Sequence, residues 1–375
     1  MKSFTFLYVT FAPTEKKRLK ILFAMNSWVS GNSVALQCKA IADELTARGQ
    51  DVIALLPPEN LPQEENFHIQ EWPSRRPINF RDALFYWKLC RQYHPDIVLT
   101  QFAPTNIMLW IGALCGVKIR AVWYHTILEP ILLDRKKGVV DIHTQLQILR
   151  KRIVYKFATH IVPVSEYAKG DISRYFGVSK KKCKVFHNAV ESSSSLSEEK
   201  PIQHMVRFFA RIDPCKGVDI LLKAWKIVVS EIPKATLELY GRGNVTESEE
   251  EFAAFNVHFK GTVPPSQVRT LMRSAMLTVL PSRMDNCPLA VIESLAEGTP
   301  VVATNVGGIP EIITHGENGF LVEPEKEDEL AQAIIMILQD MPLREKLSMG
   351  ARTKHISQFE VSRYANRVAD WLENL

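Results

Sequence analysis

The sequence predicts an α/β protein built from two doubly wound, Rossmann-like domains in tandem. Three observations support this prediction: a length of 375 residues, apolar runs of strand length that alternate with amphipathic helical patterns, and a polar break near the middle of the chain. The length exceeds that of one ordinary core, and the alternation is typical of parallel sheets covered by helices.

The first domain is predicted over residues 1–190, and residues 1–19 form a short extension. Its strands are predicted at residues 20–25, 51–56, 96–100, 119–125, 160–165 and 184–187. After the first strand, a turn at Ser30-Gly31-Asn32 precedes apolar residues that recur at helical spacing. Strand, turn and helix in this order make up the repeating unit of a parallel sheet.

Residues 191–201 read ESSSSLSEEKP, which is too polar to contribute to a core, and we predict the interdomain linker there. The second domain is predicted over residues 202–357. Residues 358–375 are predicted to form a last helix that crosses back to the first domain. The strands of the second domain are predicted at residues 205–210, 235–240, 258–260, 277–281 and 301–304.

Composition excludes several classes of protein. Hydrophobic residues make up 46% and charged residues 23%, as in globular rather than disordered chains. The six cysteines contain no Cys-x-x-Cys pair, which argues against a disulfide framework or a zinc knuckle and fits a reducing cytoplasm. The longest apolar stretch, residues 107–117, is shorter than the roughly 20 residues of a membrane span. We therefore expect a cytoplasmic protein, with peripheral attachment to the inner face of the membrane as a candidate.

Charge is divided unevenly along the chain. Residues 1–200 carry 28 Lys and Arg against 18 Asp and Glu, whereas the remainder carries 18 against 23. An anionic membrane surface or an acidic acceptor is a candidate partner for the basic half, while ordinary solvated helix faces explain the charges equally well. A basic cluster at Arg150, Lys151 and Arg152 is the candidate contact on the acceptor or membrane side. Nucleic acid is not expected as a partner.

The same basic cluster lies on a predicted helix. Leu146, Leu149, Ile153 and Phe157 recur at helical spacing and are expected to face the core, which leaves the three cations at least partly outward.

The most informative segment is residues 282–293, SRMDNCPLAVIE. It places Asp285 in a loop between a strand and a helix, with Asn286 as a candidate cap and Pro288 in the first helical turn. A helix N-terminus at the end of a parallel sheet favours a bound diphosphate, because its N–H groups are free and its dipole attracts anions. The backbone of Asn286, Cys287, Pro288 and Leu289 is therefore the candidate donor-binding segment. Glu293, further along the helix, is placed to accept hydrogen bonds from ribose hydroxyls.

Asp285 and Glu293, with seven residues between them and residues 294–302 after them, resemble the Glu-x7-Glu signature of retaining GT-B glycosyltransferases of family four. Residues 306–312 and 318–322 continue that pattern, so the resemblance covers most of residues 201–325. It implies two Rossmann-like domains facing each other across a cleft, and a nucleotide diphosphate sugar as donor, with a UDP-sugar favoured. Asp285 stands where the family usually has Glu, a difference expected to alter which sugar fits. The alternatives are a capping Asp285 and a solvated Glu293.

Arg211 and Lys216 lie in a segment that resembles the strand-end Gly-Arg and Lys-Gly pattern of the family, with Ala210 in place of the usual Gly. A planar guanidinium and a compact ammonium suit the phosphate oxygens of a leaving nucleotide. Surface salt bridges are the alternative for both.

Further positions are assigned by the resemblance alone. Residues 240–243 resemble the Gly-x-Gly turn, which places Gly241 at the nucleotide, and Val263 lies near the base in the same comparison. Gly31 occupies the first strand–helix turn, which in the family is rich in glycine and close to the diphosphate. His125 resembles the histidine beside the donor sugar and is the third candidate catalytic residue with Asp285 and Glu293; a structural, buried histidine is the alternative.

The residues and the resemblance together predict a glycosyltransferase that transfers a hexose, and the resemblance implies retention of anomeric configuration. No Asp-x-Asp pair or His/Cys cluster occurs, so neither a metal nor another cofactor is expected. The acceptor is unassigned, with glycans and lipid-linked molecules as candidates. Two alternatives stay open: a nucleotide-sugar 2-epimerase of the same architecture, and a sugar-binding scaffold without catalysis.

Overall fold

The structure is a computed structural model that describes residues 18–25, 33–58, 61, 65–128, 142–193, 201–243 and 249–375. Two six-stranded sheets, in which all the observed pairings are parallel, form the cores of two domains. The prediction of two doubly wound α/β domains is confirmed.

The first sheet has the strand order β3-β2-β1-β4-β5-β6. Its strands are β1 (Lys20–Ala24), β2 (Asp51–Leu56), β3 (His68–Glu71), β4 (Ile97–Thr100), β5 (Ile119–Tyr124) and β6 (His160–Pro163). The helices of this domain are α1 (Ser33–Ala47), α2 (Phe80–Tyr93), α3 (Thr105–Leu114), α4 (Ile142–Tyr155) and α5 (Glu166–Phe176).

The second sheet has the same arrangement, with the strand order β9-β8-β7-β10-β11-β12. Its strands are β7 (Met205–Phe209), β8 (Thr236–Tyr240), β9 (Val257–Gly261), β10 (Leu277–Leu280), β11 (Val301–Thr304) and β12 (Gly319–Val322). The helices that follow in chain order are α6 (Val218–Glu231), α7 (Glu249–Ala253), α8 (Pro265–Arg273), α9 (Leu289–Ala296), α10 (Ile309–Ile312), α11 (Glu327–Gln339), α12 (Met341–Lys354) and α13 (Val361–Glu373).

Strand order reverses between β1 and β4 in the first sheet and between β7 and β10 in the second. In doubly wound folds such a switch point leaves a crevice at the carboxyl ends of the strands, where ligands bind. The central strands are sealed on both faces: every residue of β4, β10 and β11 is buried. These continuous apolar runs explain why the sequence predicted parallel strands.

The last helix returns to the first domain. Tyr364, Val368 and Leu372 of α13 are buried in the same cluster as residues of β1, β5 and α1. The Tyr364 hydroxyl also accepts a hydrogen bond of 3.1 Å from the indole nitrogen of Trp123. Helix α13 therefore fixes the chain end to the domain in which the chain begins.

The predicted and observed strands differ at three places. The strand predicted at residues 184–187 is wrong, because this segment forms only alternate backbone bonds to β6, from Lys184 to Ile161 and from Phe186 to Pro163. Conversely, the edge strands β3 and β12 were not predicted. The residues of β3 are mainly polar and exposed and carry no apolar alternation. Strand β12 is short and begins with glycine, a residue that is depleted in strands.

Candidate active site

Asp285 lies in the loop after β10 and is held from two sides. Its Oδ2 is 2.6 Å from the Lys216 ammonium, and its Oδ1 accepts a bond of 3.0 Å from the backbone nitrogen of Asn286. The Asp285 and Lys216 side chains are both largely buried. The pair therefore spans the switch point of the second sheet, one partner following β7 and the other following β10.

A short turn explains why Lys216 reaches Asp285. Asp213 caps a single 3-10 turn, Pro214–Lys216, by accepting from the Lys216 backbone nitrogen at 3.1 Å. Gly217 then adopts a left-handed φ of 69°, and a Cβ there would lie 1.9 Å from the carbonyl oxygen of Pro281. Only glycine permits this close approach of the two loops.

Arg211 is placed differently from Lys216. Its side chain is 72% exposed and pairs with Asp213 at 3.1 Å. Lys216 is turned inward to Asp285, whereas Arg211 projects into solvent. The two cations predicted to act together thus occupy unlike environments.

Glu293 projects from α9 toward the first domain. Its Oε1 accepts a hydrogen bond of 2.6 Å from the Ser33 hydroxyl at the start of α1. Burial raises the pKa of the Glu293 carboxyl, although the bond from Ser33 opposes this effect. The solvated position considered from sequence is therefore wrong, since this carboxyl lies between the domains.

The N-terminus of α9 has no side-chain cap. Pro288 is the N-cap residue and helical structure begins at Leu289, so the expected places of Asn286 as cap and Pro288 in the first turn are wrong. Because Asp285 does not cap α9 either, the first amides of α9 have no side-chain acceptor among the residues that the structure describes.

Asn286 instead connects the domains. It is buried, its Oδ1 accepts from the Ser165 hydroxyl, and its Nδ2 donates to the backbone oxygen of His125 at 2.8 Å. Next to it, the Cys287 oxygen accepts a bond of 2.9 Å from Asn188. The loop predicted to bind the donor is thereby fixed against the first domain.

His125 follows β5 and faces the same region from the first domain. Its Nε2 lies 2.9 Å from Gln101 Oε1, and the Gln101 amide nitrogen bonds to Cys38, so we assign the His125 proton to Nε2. The ring stacks on Phe102 at 4.7 Å between centroids. Burial lowers the pKa of His125 to about 4, so the imidazole is neutral at physiological pH.

The cavity beside His125 has a volume of about 230 Å³ and is also lined by Phe102, Asn106, Lys151 and Tyr155. We call it the His125 cavity. Phe102 has a left-handed φ of 55°, a conformation that costs energy in a bulky residue and is often found at functional sites. Sequence reasoning assigned no role to Gln101 or Phe102; the strand end before them was the available signal.

A second interdomain contact was also missed. Glu311 of α10 accepts bonds from the backbone nitrogens of Glu166 at 2.8 Å and Tyr167 at 3.0 Å, which cap the N-terminus of α5. It also lies 2.8 Å from His187 Nε2. Burial alone would raise the pKa of Glu311, but these bonds lower it. Glu311 lies within residues 306–312, which resemble the family pattern, but the sequence alone assigns it no role, because a cap supplied by another domain leaves no local sequence signal.

The remaining donor-side predictions concern loops. A Cβ on Gly241 would lie 1.7 Å from the Ala210 oxygen. The close approach of the Ala210 backbone therefore requires glycine at this position, independently of any nucleotide. Val263 is half-buried after β9. Gly31 lies outside the described residues, as does most of the predicted linker.

The basic cluster of α4 is divided among three environments. Arg150 lines an apolar groove, Lys151 lines the His125 cavity, and the Arg152 guanidinium donates to the Tyr175 oxygen at 2.9 Å.

The core stripe predicted for α4 is wrong. Leu146, Leu149 and Ile153 are exposed, and the buried residues of the helix are Thr144 and Tyr155. The helix therefore packs through another face and turns its apolar stripe outward, while Phe157 follows the helix and is half-buried.

The described residues contain neither a cluster of metal ligands nor a helix that could span a membrane. No group of three or more His, Cys, Asp or Glu in the described ranges could hold a metal ion. Within the same ranges, every helix is too short or too polar to cross a bilayer.

Two family models match adjoining parts of the chain. Glycosyltransferase Family 4 matches residues 34–194, and Glycosyl transferases group 1 matches residues 192–354. A glycosyltransferase of Methanocaldococcus jannaschii is 24% identical over 346 residues, which cover 85% of this chain and 88% of that protein. A D-inositol 3-phosphate glycosyltransferase of Jonesia denitrificans is 33% identical over 171 residues, 42% of this chain and 40% of that protein.

Solved structures share the whole architecture. Sucrose-phosphate synthase of Thermosynechococcus elongatus superposes with a TM-score of 0.73 at 17% identity, covering 95% of this chain and 99% of that one. HepE of Anabaena in complex with UDP gives 0.72 at 19% identity, covering 95% and 100%. These likenesses define the fold as GT-B, the two-domain architecture of glycosyltransferases. With both family models matched in order, the chain belongs to the family-four glycosyltransferases, as the sequence resemblance predicted.

Proposed function

We propose that this glycosyltransferase takes its sugar from a nucleoside diphosphate donor, with a UDP-sugar favoured, and retains the anomeric configuration without a metal ion. The observation that carries the proposal is the meeting of Lys216, Asp285 and the uncapped start of α9 at one switch point. A cation, a carboxylate and free N–H groups are the complement of a sugar diphosphate.

The diphosphate is assigned to Lys216 and the amides that begin α9. Negative charge grows on the phosphate as the bond to the sugar breaks, so fixed donors stabilise the transition state more than the ground state. Arg211 adds a second cation from the exposed edge. These groups supply the charge that a metal ion would otherwise provide.

The two carboxylates are assigned to the two ends of the donor. Asp285 accepts hydrogen bonds from the hydroxyls of the transferred sugar, and its bond to Lys216 keeps it beside the diphosphate. Glu293 accepts from the ribose hydroxyls. The Ser33 hydroxyl already occupies one oxygen of Glu293, which orients this carboxyl between the domains.

The reaction needs no strong protein base. The acceptor hydroxyl forms a bond to the anomeric carbon on the face that the nucleotide leaves, and its proton passes to the departing phosphate oxygen. Burial lowers the pKa of His125 to about 4, which makes the imidazole a weak base, so its contribution is a hydrogen bond near the reacting carbon rather than proton abstraction. Attack on the face of departure retains the anomeric configuration.

The relatives support the choice of nucleotide. HepE of Anabaena was solved with UDP, with UDP and glucose, and with UDP-glucose. We extend this preference to the present chain as part of the proposal.

The first domain is assigned to the acceptor and to reversible attachment at an anionic membrane surface on the cytoplasmic side. Its surplus of Lys and Arg supports this assignment. Each cation near an anionic surface contributes about 1 kcal/mol, so a few suffice for reversible attachment.

Hydrolysis of a panel of nucleotide sugars in the presence of EDTA tests the proposal. We expect slow release of the nucleoside diphosphate from one donor, with a UDP-sugar the first candidate. An isomerised sugar instead of a hydrolysed one would identify the 2-epimerase, and binding without turnover would identify a scaffold.

A further inference from the structure

An apolar groove opens on the first domain between α2, α3 and α4. It has a volume of about 580 Å³, within the range of about 300–1,000 Å³ typical of small-molecule sites. Its lining is mainly apolar and includes Ile78, Phe80, Trp110, Ile111, Ile153 and Phe157. We call it the α2–α4 groove.

Large side chains in the α2–α4 groove are unusually exposed. Phe80 is 81% exposed, Trp110 56% and Ile153 51%. Leaving such area in water forgoes about 25 cal/mol per Å², and contiguous exposed apolar patches on soluble domains mark interaction sites. The outward stripe of α4, with Leu146 and Leu149, extends the same surface.

The helices around the groove carry charge of one sign. Helices α2, α3 and α4 together contain six cations, Arg81, Lys88, Arg91, Arg150, Lys151 and Arg152, against one acid, Asp82. Asp82 is fully buried, and its Oδ2 accepts from Ser74, Ile78 and Asn79. The surface around the apolar groove is therefore complementary to an anionic partner.

The groove borders the His125 cavity. Asn106 lines both, and consecutive residues of α4 divide between them, Arg150 in the groove and Lys151 in the cavity. Among the described residues, neither of these cations has an ion-pair partner, and the Lys151 ammonium lies over the Phe176 ring at 5.6 Å. Burial lowers the pKa of Lys151, and Arg150 lowers it further. An anion at this junction would stabilise both charges.

We propose that the α2–α4 groove holds the hydrocarbon chain of an anionic lipid acceptor, with the phosphate of its head group at Arg150 and Lys151. From there the acceptor hydroxyl enters the His125 cavity and reaches the donor sugar. The inference rests on the proposed function in assigning the acceptor to the first domain, and it adds the chemical class of that acceptor.

The probe for the test is dodecyl phosphate, titrated calorimetrically below its micelle concentration. We expect saturable binding of dodecyl phosphate to the wild-type protein. Butyl phosphate, which lacks most of the hydrocarbon chain, should bind much more weakly. Ile153→Asp places a charge in the groove and should weaken binding of dodecyl phosphate at least tenfold. Leu114→Asp makes the same change at an exposed position of α3 outside the groove lining and should leave binding unchanged.

The Arg150→Gln variant tests the contribution of the phosphate head group to binding separately from that of the hydrocarbon chain. This substitution should weaken the binding of dodecyl phosphate several-fold. It should leave the binding of dodecanol unchanged, because dodecanol carries no charge. Equal losses for both ligands would overturn the placement of the phosphate.

Other occupants give different results. If dodecyl phosphate fails to bind the wild-type chain, or binds Ile153→Asp equally well, the lipid groove is wrong. A dimer in sedimentation that Ile153→Asp dissociates would assign the groove to a second copy of the chain. Binding to anionic vesicles without binding of monomeric dodecyl phosphate would leave only a membrane surface and likewise overturn the inference.

The proposed function fails separately. Calorimetry with UDP and hydrolysis of the donor report on the donor side alone, since neither measurement requires a lipid acceptor. Loss of donor hydrolysis across the whole panel with intact dodecyl phosphate binding would refute the proposed function alone. Intact hydrolysis without lipid binding would refute the groove alone.

Discussion

The two domains share one strand order but differ in how their functional surfaces are completed. At the switch point of the second sheet, Lys216 and Asp285 already pair with each other. On the first domain, Arg150 lines the exposed apolar groove and Lys151 lines the His125 cavity, and neither has an ion-pair partner among the described residues. The donor side is organised by the chain itself, whereas the acceptor side presents groups that a ligand would satisfy.

This difference predicts where substitutions act on catalysis and where they act on attachment. A change on the donor side should remove transition-state stabilisation, because its groups are already held in place. A change on the acceptor side should weaken the binding of anions, and this effect should be smaller than the loss of transition-state stabilisation on the donor side.

The largest effect is expected for Glu293→Gln. The loss of an oriented ribose contact should cost about 2–4 kcal/mol of transition-state stabilisation, or about 30- to 1,000-fold in kcat/KM. Steady-state kinetics against Glu345→Gln, an exposed acid of α12, checks the result. Turnover near that of the wild type would remove the assignment of Glu293.

The next effect concerns the two cations of the diphosphate site. In Lys216→Ala with Arg211→Ala, UDP should bind much more weakly by calorimetry, because a hydrogen bond to a charged group contributes about 1.5–3 kcal/mol. The structure sharpens this prediction: Lys216→Ala alone should cost more than Arg211→Ala alone, since Arg211 is exposed. Lys223→Ala, on the outer face of α6, is the matched control. Unchanged affinity in the double variant would refute the diphosphate assignment.

A third, smaller effect is expected at the contact between the domains, on the free energy of unfolding rather than on catalysis. Glu311→Gln removes the charge that caps α5 and should lower the free energy of unfolding by about 1 kcal/mol near pH 7. Because the folded-state pKa of Glu311 is lowered, its stabilisation is present above its unfolded pKa and is lost as pH falls through the folded value.

The difference in free energy of unfolding between wild type and Glu311→Gln should therefore shrink on acidification below about pH 4.3. Urea unfolding at pH 7 and at pH 3 measures it. A difference that is constant across this range would contradict the cap.

The last effect is expected on membrane attachment rather than on catalysis or folding, from neutralising Arg150, Lys151 and Arg152 together on the acceptor side. Attachment to anionic vesicles should weaken by about 1 kcal/mol per exposed cation, and high salt should have a similar effect. The structure predicts that Arg152 contributes least, because it is engaged with the Tyr175 oxygen. Co-sedimentation with anionic and neutral vesicles is the measurement. Equal, negligible binding to both would remove the membrane as a partner.

The contrast between the domains also separates what could be predicted from sequence from what could not. Strands such as β4 and β10 were recognised because burial on both faces leaves a continuous apolar run. The loop of Asp285 and the helix of Glu293 were recognised because strand end, acid and helix follow one another locally. Contacts between distant segments left no such signal, as the roles of Asn286 and Glu311 show.

The prediction that the apolar stripe of α4 faces the core was wrong for a physical reason. Helical periodicity predicts that a helix has an apolar face, but not what packs against that face. The core position predicted for Leu146, Leu149 and Ile153 required the apolar face of α4 to point inward. Their exposure instead coincides with Arg150 and Lys151, two cations that have no ion-pair partner in the part of the chain that the structure describes. A mismatch between local pattern and packing is expected where a surface is kept for a ligand.

The most direct test of the account is time-resolved proton NMR of UDP-glucose incubated with the protein and EDTA. The proposed chemistry predicts release of UDP with glucose appearing first as the α-anomer, before mutarotation mixes the two forms. Should this donor be inert, the same experiment applies to whichever member of the donor panel is hydrolysed. First appearance of the inverted anomer, or no hydrolysis of any donor under these conditions, would contradict retaining, metal-independent transfer from a nucleotide sugar.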